Sequence, residues 1–116
     1  MTHLFRTLFW LAVAVTLYFA WSPQPPQILP GDKYQHALAF AALATIATLG
    51  WPSIRWWVTA ALLAAFGGLI ELVQAIPAIH RDADVHDWYA DMAAVAVALL
   101  LSHLLLRLLR RRDRES

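Results

Sequence analysis

Four apolar stretches, each about long enough to cross a lipid bilayer, dominate this chain, and few folds can accommodate them. They run from about Leu4 to Trp21, Tyr34 to Trp51, Ile54 to Ile76 and Asp87 to Leu109. A transmembrane helix needs about 20 predominantly apolar residues. The 116 residues are 60% hydrophobic and only 15% charged, and the polar ones are clumped rather than interspersed. A soluble domain this small exposes a large share of its surface, and too few polar residues exist here to cover it. The pattern predicts an all-α, integral membrane four-helix bundle, a single domain over residues 1–116. The first stretch follows Arg6 as the core of a signal peptide would, but Trp21-Ser22-Pro23 makes a poor cleavage site, so it is read as a span.

Basic residues set the expected orientation. The C-terminal run from Arg107 to Arg114 should stay cytoplasmic by the positive-inside rule, and four spans then place Arg6 and Arg55 on the same side. That side carries seven arginines against Asp113 and Glu115, a net charge of +5. The other side carries Lys33 and Arg81 against Asp32, Glu71, Asp82, Asp84, Asp87 and Asp91, a net charge of −4. Both termini are therefore expected in the cytoplasm. Tyr18, Trp21, Trp51, Trp56, Trp57, Trp88 and Tyr89 fall at segment ends, where interfacial aromatic belts form. Residues 22–31 are proline-rich and read as an extended outer strap, residues 77–86 as a charged outer loop, and residues 50–53 as a tight inner turn.

The ionisable residues near the outer boundary suggest a shared site. His36 lies sixteen residues from Pro52, Glu71 sixteen from Arg55 and Asp91 sixteen from Arg107. At about 1.5 Å of rise per residue each stands roughly 24 Å above the inner boundary, just inside a hydrocarbon core about 30 Å thick. Asp32, Lys33 and His36 share a helix face, as do Glu71 and Gln74. Asp84, Asp87 and Asp91 form one acidic stripe at a helix start, where the dipole favours negative charge. Charge inside a bilayer is costly and marks a functional site by default. Plainer roles exist for each group. Lys33 could snorkel to a lipid phosphate, Glu71 could pair with Lys33 or Arg81, and Asp84 could be an N-cap. His103 reads as an interface residue, and Ala60, Ala64 and Gly68 as a row of small residues for close helix packing. The absence of cysteine excludes thiolate metal sites. His36, His80 and His86 with the carboxylates leave a divalent cation as the one cofactor in view, without a tight ligand motif.

Three segments taken together resemble the VanZ-like family of small bacterial membrane proteins. They are Asp32-Lys33-Tyr34-Gln35-His36-Ala37-Leu38-Ala39-Phe40, Glu71-Leu72-Val73-Gln74, and Arg81 followed by Asp87 and Asp91. They are similar to that family's D-K-x-x-H-x-x-x-aromatic, E-x-x-Q and R-x-x-x-x-x-D-x-x-x-N pattern, in the same order. Asp91 stands where the family usually has Asn, adding a negative charge, and Ala94 stands where Gly commonly follows. The resemblance implies an envelope role, the name-giving member being linked to glycopeptide resistance, without implying one settled activity.

Three functions stay open on the sequence. In the first, the outer site binds an anionic envelope-lipid or cell-wall-precursor headgroup through Asp32, Lys33, Gln74, Arg81 and Asp91. In the second, the chain is an enzyme acting on a lipid-carrier phosphate. His36 would be acid/base or nucleophile, with Glu71 and Asp87 as its catalytic partners and a divalent cation bridging to phosphate. In the third, His36, Glu71 and Asp91 relay protons in a small transporter, although no charged residue is evident at mid-depth below Glu71. Membrane lipids are the expected partners, and nothing in the sequence suggests nucleic acid.

Overall fold

A computed structural model describes residues 2–21, 32–76 and 85–115, with the side chains of residues 32–35, 85, 87 and 113–115 outside the description. The described residues form four helices: α1 (Thr2–Trp21), α2 (Asp32–Gly50), α3 (Trp56–Gln74) and α4 (Val85–Glu115). The chain is all-helical, as its apolar periods require, and no proline falls inside any of the four helices. Between α2 and α3 the chain turns tightly. Trp51 N–H donates to Ala47 and Ile54 N–H to Trp51, while Arg55, extended at φ −64° and ψ 141°, precedes α3.

α1, α3 and the Trp88–Arg112 part of α4 are each long and apolar enough to cross a membrane. Their outer faces are as apolar as the core. Leu62, Leu72 and Leu100 are 63, 71 and 61% exposed, and many other large hydrophobic side chains match them. In water such a surface would drive association; against acyl chains it is solvated. The strap over 22–31, the outer loop over 77–84 and the proposed N-cap Asp84 lie outside the described residues.

The apolar part of α2, His36–Gly50, is shorter than the other spans. Its position explains why it needs less lipid-facing surface: α2 packs most extensively against α4 and also touches α1 and α3. Phe40, Leu43, Ala44 and Ala47 supply much of the buried core, joined by Leu63 and Ile70 from α3 and Val95 and Leu99 from α4. Four hydroxyls inside the bundle are satisfied within their own helices. Thr16, Thr45, Thr48 and Ser102 donate to the carbonyls of Ala12, Ala41, Ala44 and Ala98, so none is left unpaired in an apolar medium.

α4 extends farther than the apolar pattern predicts, through the arginine-rich run to Glu115. Arginine, leucine and glutamate are strong helix formers, so the helix continues after its apolar content ends. At 31 residues it is about 46 Å long, and it accounts for the 56 Å long axis of the molecule.

Two close contacts tie the bundle, one at the α2–α3 turn and one farther along it. At the α2–α3 turn, Arg6 Nε donates to the Gly50 carbonyl at 2.8 Å, one of the α2 carbonyls that has no partner within its helix. The guanidinium also lies 5.3 Å from the Trp51 ring, which Phe9 and Trp10 meet edge-on. A Cβ on Gly50 would come within 3.3 Å of the Arg6 backbone nitrogen, so the glycine is what lets α1 come this close. Midway along the bundle, Gly67 of α3 receives the rings of Phe40 and Trp88; a Cβ there would lie 3.3 and 3.2 Å from them. The Trp88 indole N–H donates to the Ala64 carbonyl at 3.1 Å. Trp51 and Trp88 are thus packing residues rather than belt residues, whereas Tyr18, Trp56, Trp57 and Tyr89 are exposed as a belt requires.

Two stability predictions follow from these contacts. Arg6→Ala should lower the unfolding free energy of the detergent-solubilised protein by about 1–2 kcal/mol, because the Gly50 carbonyl loses a charged donor. Arg6→Lys should recover only part of this, lacking the planar face that stacks on Trp51. Gly67→Ala should cost about 1–3 kcal/mol, since buried Phe40 has little room to yield. The neighbouring Gly68→Ala, whose Cβ would meet nothing nearer than 4.0 Å, should be neutral or stabilising. Thermal or denaturant unfolding of the four variants checks the order.

Candidate functional site

With the hydroxyls self-satisfied along their helices, the polar side chains that stand out as buried are His36, Gln74 and Asp91. They are 6, 2 and 3% exposed, and Glu71 is half-buried. All four lie toward the end of the bundle where α2 and α4 begin and α1 and α3 finish. His36 is one turn from Phe40 and Glu71 one turn from Gly67. Because Phe40 contacts Gly67, His36 and Glu71 sit at similar height on adjacent helices.

Lower down, Trp56 of α3 and His103 of α4 line one cavity, and Pro52 of the α2–α3 turn and Arg107 of α4 line another. His36, Glu71 and Asp91 are each engaged by a partner.

Gln74 has a defined structural bond. Its Nε2 donates to the Ala20 carbonyl at 2.8 Å, in the last turn of α1. That carbonyl belongs to the set a helix cannot satisfy internally, and Ala20 is itself 1% exposed. A buried, unsatisfied carbonyl in an apolar setting is expensive, so the amide closes α1 against α3. The next residue, Trp21, has a buried indole N–H with no hydrogen-bond partner among the described residues. It is a donor at the same end that the sequence did not single out, because an aromatic at a helix end reads first as a belt residue.

Of the remaining candidates, Asp32 and Lys33 occupy the first turn of α2, and Asp87 the first turn of α4. Their side chains lie outside the description, as do Arg81 and His80 entirely. His86 is exposed on the first turn of α4. Among the described residues no group of three His, Cys, Asp or Glu side chains is placed to hold a metal ion. The Ala60–Ala64–Gly68 row also behaves differently along its length. Trp88 lies against α3 near Gly67 and Gly68, whereas Ala60 and Ala64 line an open groove facing α4.

No protein family, curated protein or solved structure matches the chain. The site therefore stands on its own residues: a buried imidazole, a buried carboxylate and a half-buried carboxylate in the upper part of a helical bundle with an apolar exterior.

The Gln74 bond generates a direct check. Gln74→Leu should destabilise the protein by about 1–3 kcal/mol, the usual penalty for stranding a buried acceptor. Leu72→Ala on the exposed face should change little by comparison, and unfolding of the two variants in the same detergent decides it.

Proposed function

We propose that this chain is a multi-pass membrane protein that binds an anionic headgroup at the end of the bundle where α2 and α4 begin. The headgroup would belong to an envelope lipid or a cell-wall precursor. The observation that carries the reading is the burial of His36 and Asp91, with Glu71 beside them, in a bundle whose exterior is apolar. Ionisable groups are not retained inside such a bundle without a use, because each costs several kcal/mol to desolvate. In this reading Lys33, three residues before His36 in the sequence, and Arg81, between α3 and α4, would supply the cations. A lysine and an arginine suit phosphate or carboxylate, the arginine in bidentate fashion. The motifs that resemble the VanZ-like family support an envelope role in a bacterial inner membrane, with the site on the extracytoplasmic side and a link to glycopeptide resistance. The arginine-rich α4 extension supports that orientation through the positive-inside rule.

An enzyme acting on a lipid-carrier phosphate, with His36 as acid/base or nucleophile, is the second reading; His36, Glu71 and Asp91 each have an interaction partner, which suits either.

Protein purified in a neutral detergent and titrated with a polyprenyl phosphate should bind it, with Lys33→Ala weakening binding about tenfold and His36→Gln weakening it to a lesser degree. Release of inorganic phosphate during the titration, abolished in His36→Gln, would instead establish an enzyme. Binding that is equal for the phosphate and the uncharged polyprenol would overturn the proposal.

A further inference from the structure

At the opposite end, α3 and α4 enclose a groove of about 580 Å³ whose lining is almost wholly apolar. On the α3 side it runs along Ala60 and Ala64, and on the α4 side from Met92 through Ala96 and Leu99 to His103. A second cavity of about 690 Å³ continues from it, sharing Leu100 and His103, and is lined by Arg107, Arg110, Arg111 and Pro52. Both volumes lie within the range of small-ligand sites, about 300–1,000 Å³. The α4 lining recurs every three to four residues, so it forms one continuous stripe on one helix face. Along that stripe the chemistry changes in order, from aliphatic to imidazole to guanidinium.

We propose that the two cavities form one binding site for an anionic phospholipid, with an acyl chain in the α3–α4 groove and the phosphate held by Arg107 and Arg110. Charge complementarity selects this occupant. The groove alone would accept any apolar chain, but it shares Leu100 and His103 with a cavity lined by arginines, and basic pockets between membrane helices are suited to acidic headgroups. The dimensions agree. Met92 to His103 spans eleven residues, about 16 Å, close to one leaflet of a hydrocarbon core about 30 Å thick. Arg107 lies one turn farther out, at headgroup depth, where an arginine places its stem in the apolar layer and its charge beyond it. His103 stands at the junction, level with Trp56 and able to donate to a glycerol-ester or phosphate oxygen. A second copy of the chain would bring its own arginine-rich helix end, and like charges would then face one another at the mouth. The arginine-lined mouth of this site lies at the opposite end of α4 from His86 and Asp91.

The test uses the full chain in a neutral detergent, titrated with phosphatidylglycerol or phosphatidylcholine and read by native mass spectrometry and thermal unfolding. One phosphatidylglycerol per chain should be retained and should raise the melting temperature, while phosphatidylcholine should do neither at the same concentration. The exposed pair Arg107→Ala with Arg110→Ala should weaken retention about thirtyfold, roughly fivefold for each arginine. Ala61→Leu with Ala96→Leu fills the groove from exposed lining positions without changing charge, and should weaken retention tenfold or more. If the leucine pair leaves retention intact while the arginine pair removes it, the arginines attract lipid only as a charged surface and the proposal fails. A protein dimer that the leucine pair dissociates would place a second copy in the groove, and would overturn it equally.

Discussion

The structure depends on one constraint: the outward faces of its helices are as apolar as the faces they turn inward. In a bilayer such helices gain little from hiding apolar surface from one another, so association must come from close contact and from polar groups with nowhere else to go. The bundle meets this by placing the α2 helix at its centre and by removing side chains where backbones must approach. Gly50 admits the α1 backbone, and Gly67 admits two aromatic rings. Polar closure then fixes the ends. Arg6 takes the last carbonyl of α2, and Gln74 takes a carbonyl in the last turn of α1. These two hydrogen bonds answer the same demand at opposite ends, that a helix terminus not be left unsatisfied where water is scarce.

The same demand sorts the polar residues into two kinds. Hydroxyls disappear into their own helices and carry no further consequence. His36 and Asp91 have no such local escape, since neither side chain is built to bond back to the preceding turn as a hydroxyl does. Their burial therefore requires partners from other helices, and it concentrates chemical capability at one end of a protein of only 116 residues. The opposite end gains its character differently, through a helix that continues past the bundle and carries its arginines with it.

Much of the architecture could be read from the sequence, since apolar run length and its interruption by proline-containing segments are local properties. Four helices appear where four apolar stretches stand, within a few residues at most ends. α4 is the exception, because charge was taken as an end signal whereas arginine and leucine together propagate a helix. The candidate site was legible as residue types near one end, and His36 and Asp91 are indeed buried there. What each side chain touches was not legible. Gln74 reads as a partner of Glu71 because they share a face, and nothing in the sequence reveals that the end of α1 lies against it. Trp88 reads as an interfacial aromatic because it sits near a helix start, and only the bare backbone of Gly67 across from it turns the ring inward.

That inward ring has a consequence for how the helices meet. With Phe40 and Trp88 both seated on Gly67, and Phe66 tilted against Phe40 at 5.8 Å, an aromatic septum crosses the bundle at mid-height. His36 and Glu71 stand one turn from this contact, Asp91 follows Trp88 by three residues on α4, and the α3–α4 groove beyond is lined with hydrocarbon as far as His103. The rings of two helices meet here because a single residue of a third carries no side chain to keep them out.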